Sequence, residues 1–173
     1  YLINRYSTVV LNNSVSKSSA VAFGVPQGSI LGPLLFILYT SDLPRIIHSF
    51  SFNSQMYADD SYIYTSFHKS ELSVVMNNLS SCLTSVMSWS NSLFLKLNPS
   101  KFELICFNKS DKSLTLPSLN ISSDLSLEFS SSIRSLGFVF DSTLSLSPQI
   151  RTVAKSSYFH LRRIKKLMPF LDD

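Results

Sequence analysis

Tyr57-Ala58-Asp59-Asp60 sets two carboxylates side by side between two strand-like stretches, and no other feature constrains the local fold as much. Residues 51–67 read as two short strands around a tight turn at Ala58-Asp59-Asp60. Adjacent like charges repel, and turn chemistry alone would favour Asn or Gly at these positions. A divalent cation removes the difficulty, because hard Mg²⁺ accepts carboxylate oxygens and fills its other positions with water and substrate phosphate. Taken alone, the pair reads equally well as a solvated acidic turn.

The rest of the chain supplies a frame for that turn. Tyr6 to Leu11 and Val15 to Phe23 form a predicted hairpin about Asn12-Asn13. A short apolar helix is expected from Ile30 to Leu43, stopped by Pro44. Leu72, Val75, Met76, Leu79, Leu83 and Val86 follow the 3.6-residue period of a helix, with Ser70 as its N-cap and its end near Trp89 to Asn91. Strands are expected at Leu93–Leu97, Phe102–Phe107 and Ile133–Phe140, the last with Gly137 inside it. The Ser-rich stretch from Asn108 to Ser132 suggests short strands and loops, and Pro148 to Leu167 a basic amphipathic helix. Hairpins without a regular β-α-β rhythm imply antiparallel pairing with helices on one face, an α+β fold. Phe36, Phe50, Phe52, Phe94, Phe102 and Phe107 read as core and Trp89 as a packing anchor; His48, His68 and His160 share no metal-like spacing.

A chain of 173 residues allows one domain, or a domain and a piece of another. With 45% hydrophobic and 15% charged residues it is globular in composition, and a net charge of +4 only hints at an anionic partner. Cys82 and Cys106 are too few for a disulfide framework or a cysteine-held metal cluster. The longest apolar run, Ile30 to Tyr39, is interrupted by Gly32 and Pro33 and falls short of the roughly 20 residues of a membrane span, so no membrane association is expected. The opening at Tyr1, in strand-like sequence, leads to the expectation that an upstream part is absent.

Two further segments carry chemistry. Gly24-Val25-Pro26-Gln27-Gly28-Ser29-Ile30-Leu31-Gly32-Pro33 leads a loop into a helix N-terminus, where glycine permits close backbone approach and free N–H groups can meet a phosphate or a base edge. By itself it is an ordinary helix entry. Between Arg151 and Lys166 lie Arg151, Lys155, Arg162, Arg163, Lys165 and Lys166 with no acid among them. A solvated helix face would mix signs, so this one suits a phosphate backbone, with a merely soluble basic helix as the alternative.

Taken in order, these segments resemble reverse transcriptases, most closely those of non-LTR (LINE-like) retrotransposons. Gly24 to Pro33 resembles the template- and nucleotide-positioning motif, Tyr57 to Asp60 the catalytic Tyr-x-Asp-Asp hairpin, and Leu97-Asn98-Pro99-Ser100-Lys101 with Phe102-Glu103 the next palm motif. Ser135-Leu136-Gly137-Phe138 is similar to the primer-grip strand, and Leu144 to Leu167 to the start of the thumb. The resemblance implies a right-hand polymerase: residues 1–140 as palm with part of the fingers–palm junction, and residues 141–173 as the start of a helical thumb.

It further implies an RNA-directed DNA polymerase, a nucleotidyltransferase that extends a DNA primer on an RNA template with deoxynucleoside triphosphates. Two Mg²⁺ ions are expected in the complete enzyme, with Mn²⁺ as a substitute, in the nucleus and cytoplasm. Asp59 and Asp60 would be metal ligands and catalytic residues, Asp59 the stronger, and Lys101 would contact the triphosphate or protonate pyrophosphate. Gly24, Pro26, Gln27, Gly28, Ser29 and Tyr57 would contact template or nucleotide, with Gln27 favoured over Ser29 and Tyr57 also readable as core. Leu136 and Gly137 would form the primer grip, and Arg151, Lys155, Arg162 and Arg163 would meet the nucleic-acid backbone.

One departure stands out. The family's first catalytic Asp lies on a strand upstream of the glycine loop, and residues 1–23 contain no acid. The fragment is thus expected to be chemically incomplete without an upstream segment of its parent protein. The alternative is an inactive retroelement remnant that binds nucleic acid without polymerising.

Overall fold

The computed structural model describes residues 3–108, 116–122 and 125–170. The chain divides into two compact units, Tyr1–Ser66 and Phe67–Asp173.

The first unit opens with a hairpin built in two steps. β1 (Tyr6–Ser7) pairs with β4 (Ser19–Ala20), and inside it β2 (Val10–Leu11) pairs with β3 (Ser14–Val15). Asn12 turns the chain at φ +52°, a conformation Asn tolerates better than most side chains. The chain then passes through the glycine loop into α1 (Gly32–Tyr39) and α2 (Leu43–His48). The single predicted helix is therefore two, and Pro44 does not stop it. Pro44 sits in the first turn of α2, where a missing N–H leaves nothing unpaired. β5 (Asn53–Tyr57) and β6 (Asp60–Tyr64) follow as the predicted second hairpin. α2 packs on β5, and Leu43, Ile47 and Phe52 form the buried centre of this unit.

The second unit is organised by α3 (Leu72–Ser92). Its entry is a 3₁₀ turn over Lys69–Glu71 whose cap is His68 rather than Ser70. The His68 side chain accepts from the backbone of Glu71, and the His68 N–H donates to the Glu71 carboxylate at 2.8 Å. Met76, Leu83 and Val86, all on the predicted stripe, are buried together with Cys82, whose thiol pKa burial raises.

Opposite α3, β7 (Leu119–Ser122) and β8 (Leu125–Leu127) contribute the buried Leu119, Leu125 and Leu127. Ser80 Oγ donates to the Asn120 carbonyl at 2.9 Å and ties the two layers together. The rest of the Ser-rich stretch, 109–115 and 123–124, lies outside the described residues. No named strand covers 93–97 or 102–107; Leu104 makes only an isolated parallel bridge to Phe129. Phe94 is 96% exposed at φ +56°, so it is not core: the chain leaves α3 there in a left-handed residue that turns the ring outward. Phe107 is exposed as well, though its ring meets Phe140 edge-on at 6.4 Å.

β9 (Ser132–Ser135) and β10 (Phe138–Asp141) form the last hairpin, and α4 (Ser147–Leu167) ends the described fold with a 3₁₀ turn over Met168–Phe170. The expected Ile133–Phe140 strand is thus two strands folded back on each other. Leu136 (φ +47°) and Gly137 (φ +83°) are both left-handed, as a two-residue turn matched to the strand twist requires. The fold is α+β, with every named strand pair antiparallel. Its strands form separate two-stranded pairs among the described residues. No helix among the described residues is long and apolar enough to cross a membrane.

Candidate active site

The acidic hairpin is the tightest piece of chemistry in the first unit. Tyr57 pairs directly with Asp60, so the turn proper is Ala58-Asp59 and Asp60 already belongs to β6. Directly opposed residues share a sheet face. Tyr57 and Asp60 therefore stand on one face, followed by the Gln55–Tyr62 and Asn53–Tyr64 pairs, while Met56 and Ile63 belong to the other. Tyr57 is 61% exposed, which sets aside its reading as a core ring. Asp59 and Asp60 are exposed at the tip. Ala58 holds φ +51°, a conformation that costs an L-residue roughly 1–2 kcal/mol. Strain is thus stored directly beside the two carboxylates.

In the same unit the glycine loop is shaped by its own backbone. The Ser29 N–H donates to the Pro26 carbonyl at 3.1 Å, closing a turn in which Gly28 takes φ +79°. That φ is open to glycine and strained for other residues. The Gly32 N–H then donates to the Ser29 carbonyl at 3.3 Å and carries the chain into α1. A Cβ on Gly32 would lie 2.8 Å from Ser29 Oγ, closer than real contacts allow. Ser29 Oγ is buried with no hydrogen-bond partner, whereas Gln27, Gly24, Pro26 and Gly28 are exposed. The exposed amide of Gln27 can donate and accept toward a ligand.

The remaining candidates lie in the second unit. Asn98 Oδ1 accepts from the Ser100 N–H at 3.1 Å and from Ser100 Oγ at 2.8 Å, capping a 3₁₀ turn over Pro99–Lys101 that presents an exposed Lys101. Leu136 and Gly137 form the exposed tip of the β9–β10 hairpin, whose flank carries the Phe138 and Phe140 rings with centroids 4.7 Å apart. On α4, Arg151, Lys155, Arg162 and Arg163 are all exposed, and the Arg163 guanidinium sits 5.6 Å from the Phe159 ring centroid.

Asp141 had no signal in periodicity or motif, and it anchors α4. It is 8% exposed, and its carboxylate accepts from Thr143 Oγ at 2.6 Å, the Ser145 N–H at 2.9 Å and the Leu146 N–H at 2.8 Å. These bonds, the one from Thr143 first, hold its pKa far below the usual carboxylate range. They also fix a connection in which Leu144 and Leu146 both adopt positive φ. Gln149 Oε1 completes the junction by accepting from the Val139 N–H at 2.9 Å. What could have revealed Asp141 is its place between a strand end and a Ser/Thr-rich helix entry.

Asp59 and Asp60 suit the one or two carboxylates that Mg²⁺ usually takes from protein. Among the described residues no group of three or more His, Cys, Asp or Glu gathers at one place.

Residues 1–140 match the family model described as reverse transcriptase (RNA-dependent DNA polymerase). The chain is 29% identical over 174 residues to the probable RNA-directed DNA polymerase from transposon BS of Drosophila melanogaster, covering 97% of this chain and 19% of that protein. It is 28% identical to the probable RNA-directed DNA polymerase from transposon X-element, covering 88% of this chain and 16% of the relative. It is 24% identical to the RNA-directed DNA polymerase from mobile element jockey, covering 97% and 18%. The last two relatives are also from Drosophila melanogaster. The chain thus spans less than a fifth of the length of the curated relatives it matches. No solved structure matches it.

Proposed function

Because the chain belongs to the reverse transcriptase (RNA-dependent DNA polymerase) family and is similar to non-LTR transposon polymerases, we propose that it is the central catalytic segment of an RNA-directed DNA polymerase. The reaction is attack of a primer 3′-hydroxyl on the α-phosphate of a deoxynucleoside triphosphate paired to an RNA template, with pyrophosphate leaving. The observation that carries this reading is the strained two-residue turn that exposes Asp59 and Asp60 side by side, within the stretch matched to the family.

In this reading Asp59 and Asp60 are the ligands that hold a divalent ion, Mg²⁺ or Mn²⁺, with Asp59 the more important. Bound there, the ion supplies Lewis-acid stabilisation of the charge that develops on the reacting phosphate. A two-ion arrangement needs at least one more carboxylate than this hairpin provides. Tyr57, which pairs with Asp60, contacts template or primer in this reading. Gln27 and the backbone of Gly24, Pro26, Gly28 and Ser29 position the template base or nucleotide. Lys101 contacts the triphosphate as a flexible point charge. Leu136 and Gly137 hold the primer, and Arg151, Lys155, Arg162 and Arg163 track phosphates from the start of a thumb. Residues 1–140 are then palm with part of the fingers–palm junction, and 141–173 the start of the thumb. Catalysis by such a site is positional and electrostatic, with little covalent chemistry for the protein.

A chimera tests the reading directly. This chain replaces the matching segment of the transposon BS polymerase, and primer extension on an RNA template is measured beside Mn²⁺ binding by electron paramagnetic resonance. We expect extension by the chimera, its loss in Asp59→Asn with hybrid binding within about twofold, weaker Mn²⁺ binding, and a milder defect in Asp60→Asn. Wild-type extension by Asp59→Asn would remove this residue from the site. A chimera that binds the hybrid but never extends it would mark the chain as a non-polymerising remnant.

A further inference from the structure

We propose that α4 carries a binding site for an unpaired nucleic-acid strand, in which Tyr158 and Phe159 stack on bases while the flanking cations hold phosphates. The proposal rests on the reading of α4 as a helix that faces nucleic acid and adds a strand type and two residues to it. The observation behind it is the order of side chains along one helix stripe. Arg151, Lys155, Tyr158, Arg162 and Lys165 succeed one another at spacings of four, three, four and three, so they share a face. An aromatic ring therefore interrupts the row of cations at its centre, and a second ring, Phe159, flanks it.

Both rings are presented to solvent, Tyr158 73% exposed and Phe159 57%. Lys155, Tyr158, Phe159, Leu161, Arg162 and Lys165 line a shallow groove along the helix. The Arg163 guanidinium lies over one face of the Phe159 ring, 5.6 Å from its centroid. From Arg151 to Lys165 the stripe runs about 21 Å at 1.5 Å per residue.

Charge complementarity selects a polyanion, since Arg151 to Lys166 contains no acid. The exposed rings then select which one. A duplex offers phosphates and base edges, but its base faces are already stacked, so Tyr158 and Phe159 would have nothing to stack on. An unpaired strand offers both phosphates and open faces, and single-strand binders combine a basic track with aromatic platforms for that reason. The competing occupant is an anionic lipid surface, because Ile150, Val153 and Ile164 lie exposed on another face of α4.

The test uses all 173 residues and three probes: a labelled dT₁₂ or rU₁₂ strand, a 12-base-pair RNA–DNA hybrid, and phosphatidylcholine vesicles with and without phosphatidylserine. Tyr158→Ala and Phe159→Ala should each weaken single-strand binding about tenfold, as expected for loss of one stacked base, and leave hybrid binding within about twofold. Tyr158→Phe should keep the affinity, because it keeps the ring. Arg162→Ala should weaken both nucleic acids and lower the salt slope. Circular dichroism confirms that the helix survives in each variant.

Equal loss on strand and hybrid in Tyr158→Ala would overturn the proposal, as would no loss at all or Tyr158-dependent binding confined to anionic vesicles. A chain that binds the hybrid while its binding of the unpaired strand does not depend on Tyr158 or Phe159 sinks the stacking site and leaves the polymerase reading standing. Extension failing in the chimera while Tyr158-dependent strand binding persists does the reverse.

Discussion

At the scale of single residues, the glycine loop shows how a few atoms decide packing. Alanine at the first position of a helix is ordinarily better than glycine by up to about 1 kcal/mol. At Gly32 the sign reverses, because the added Cβ would stand 2.8 Å from the buried Ser29 Oγ. Gly32→Ala should therefore cost up to about 1 kcal/mol, because the unpartnered Ser29 hydroxyl must leave its rotamer to admit the Cβ. Ser29→Ala removes the offending oxygen and a buried hydroxyl without a partner, so it should recover most of that loss in the double variant. Urea unfolding of the four members of the cycle measures it, and simple additivity would show that the loop relaxes freely.

The loop and the acidic turn were legible in the sequence because Gly, Pro and paired Asp leave compositional marks. Asp141 was not, because a single acid near a strand end carries no periodicity. Nor was the outward turn of Phe94, since a left-handed backbone at an aromatic residue contradicts its usual preference for burial.

Among elements, the junction between β10 and α4 carries most of the consequences. One carboxylate satisfies two backbone N–H groups and a hydroxyl in a connection with two left-handed leucines. Because the folded pKa of Asp141 lies below its ordinary value of 3.8, the carboxylate stabilises the fold fully at neutral pH. That contribution fades as pH falls from about 3.8 toward the folded value. Asp141→Asn should lower the thermal midpoint at pH 7 and flatten the acid limb of the stability curve. In Asp141→Ala, hydrogen exchange at the Ser145 and Leu146 amides should lose protection first. An acid limb unchanged in both variants would show that this carboxylate does not clamp the helix.

Helix-period elements were readable in advance: α3 and α4 fall where their patterns place them. The hairpin hidden in Ile133–Phe140 was not, because Leu-Gly in a run of strand formers looks continuous until both residues turn left-handed. The strands expected at 93–97 and 102–107 were over-read, since Leu104 makes only an isolated bridge there and Asn98 folds the intervening chain into a capped 3₁₀ turn.

For the molecule as a whole, the two units differ in how much core they own. The second buries Met76, Cys82, Leu83 and Val86 against Leu119, Leu125 and Leu127, whereas the first rests on Leu43, Ile47 and Phe52. Its opening hairpin leaves Tyr6, Val10, Leu11 and Val15 exposed, and α1 buries no residue. Native-state hydrogen exchange should therefore find the slowest amides in α3 and β7–β8, with the β1–β4 hairpin and α1 exchanging orders of magnitude faster. Comparable protection in both units would show that the first is stabilised by more than its own contacts. The same unburied apolar surface makes association at high concentration the expected behaviour.

The division at Ser66 has a consequence for inheritance. The paired carboxylates and the glycine loop lie before it, and Lys101, the Leu136-Gly137 tip and the basic helix lie after it. On the proposed reading, a copy broken at that point would part the acidic hairpin from the residues assigned to the triphosphate, the primer and the phosphate backbone. On the proposed reading, a chain keeping only the later part would retain Lys101 and the basic helix and lose the paired carboxylates that hold the metal.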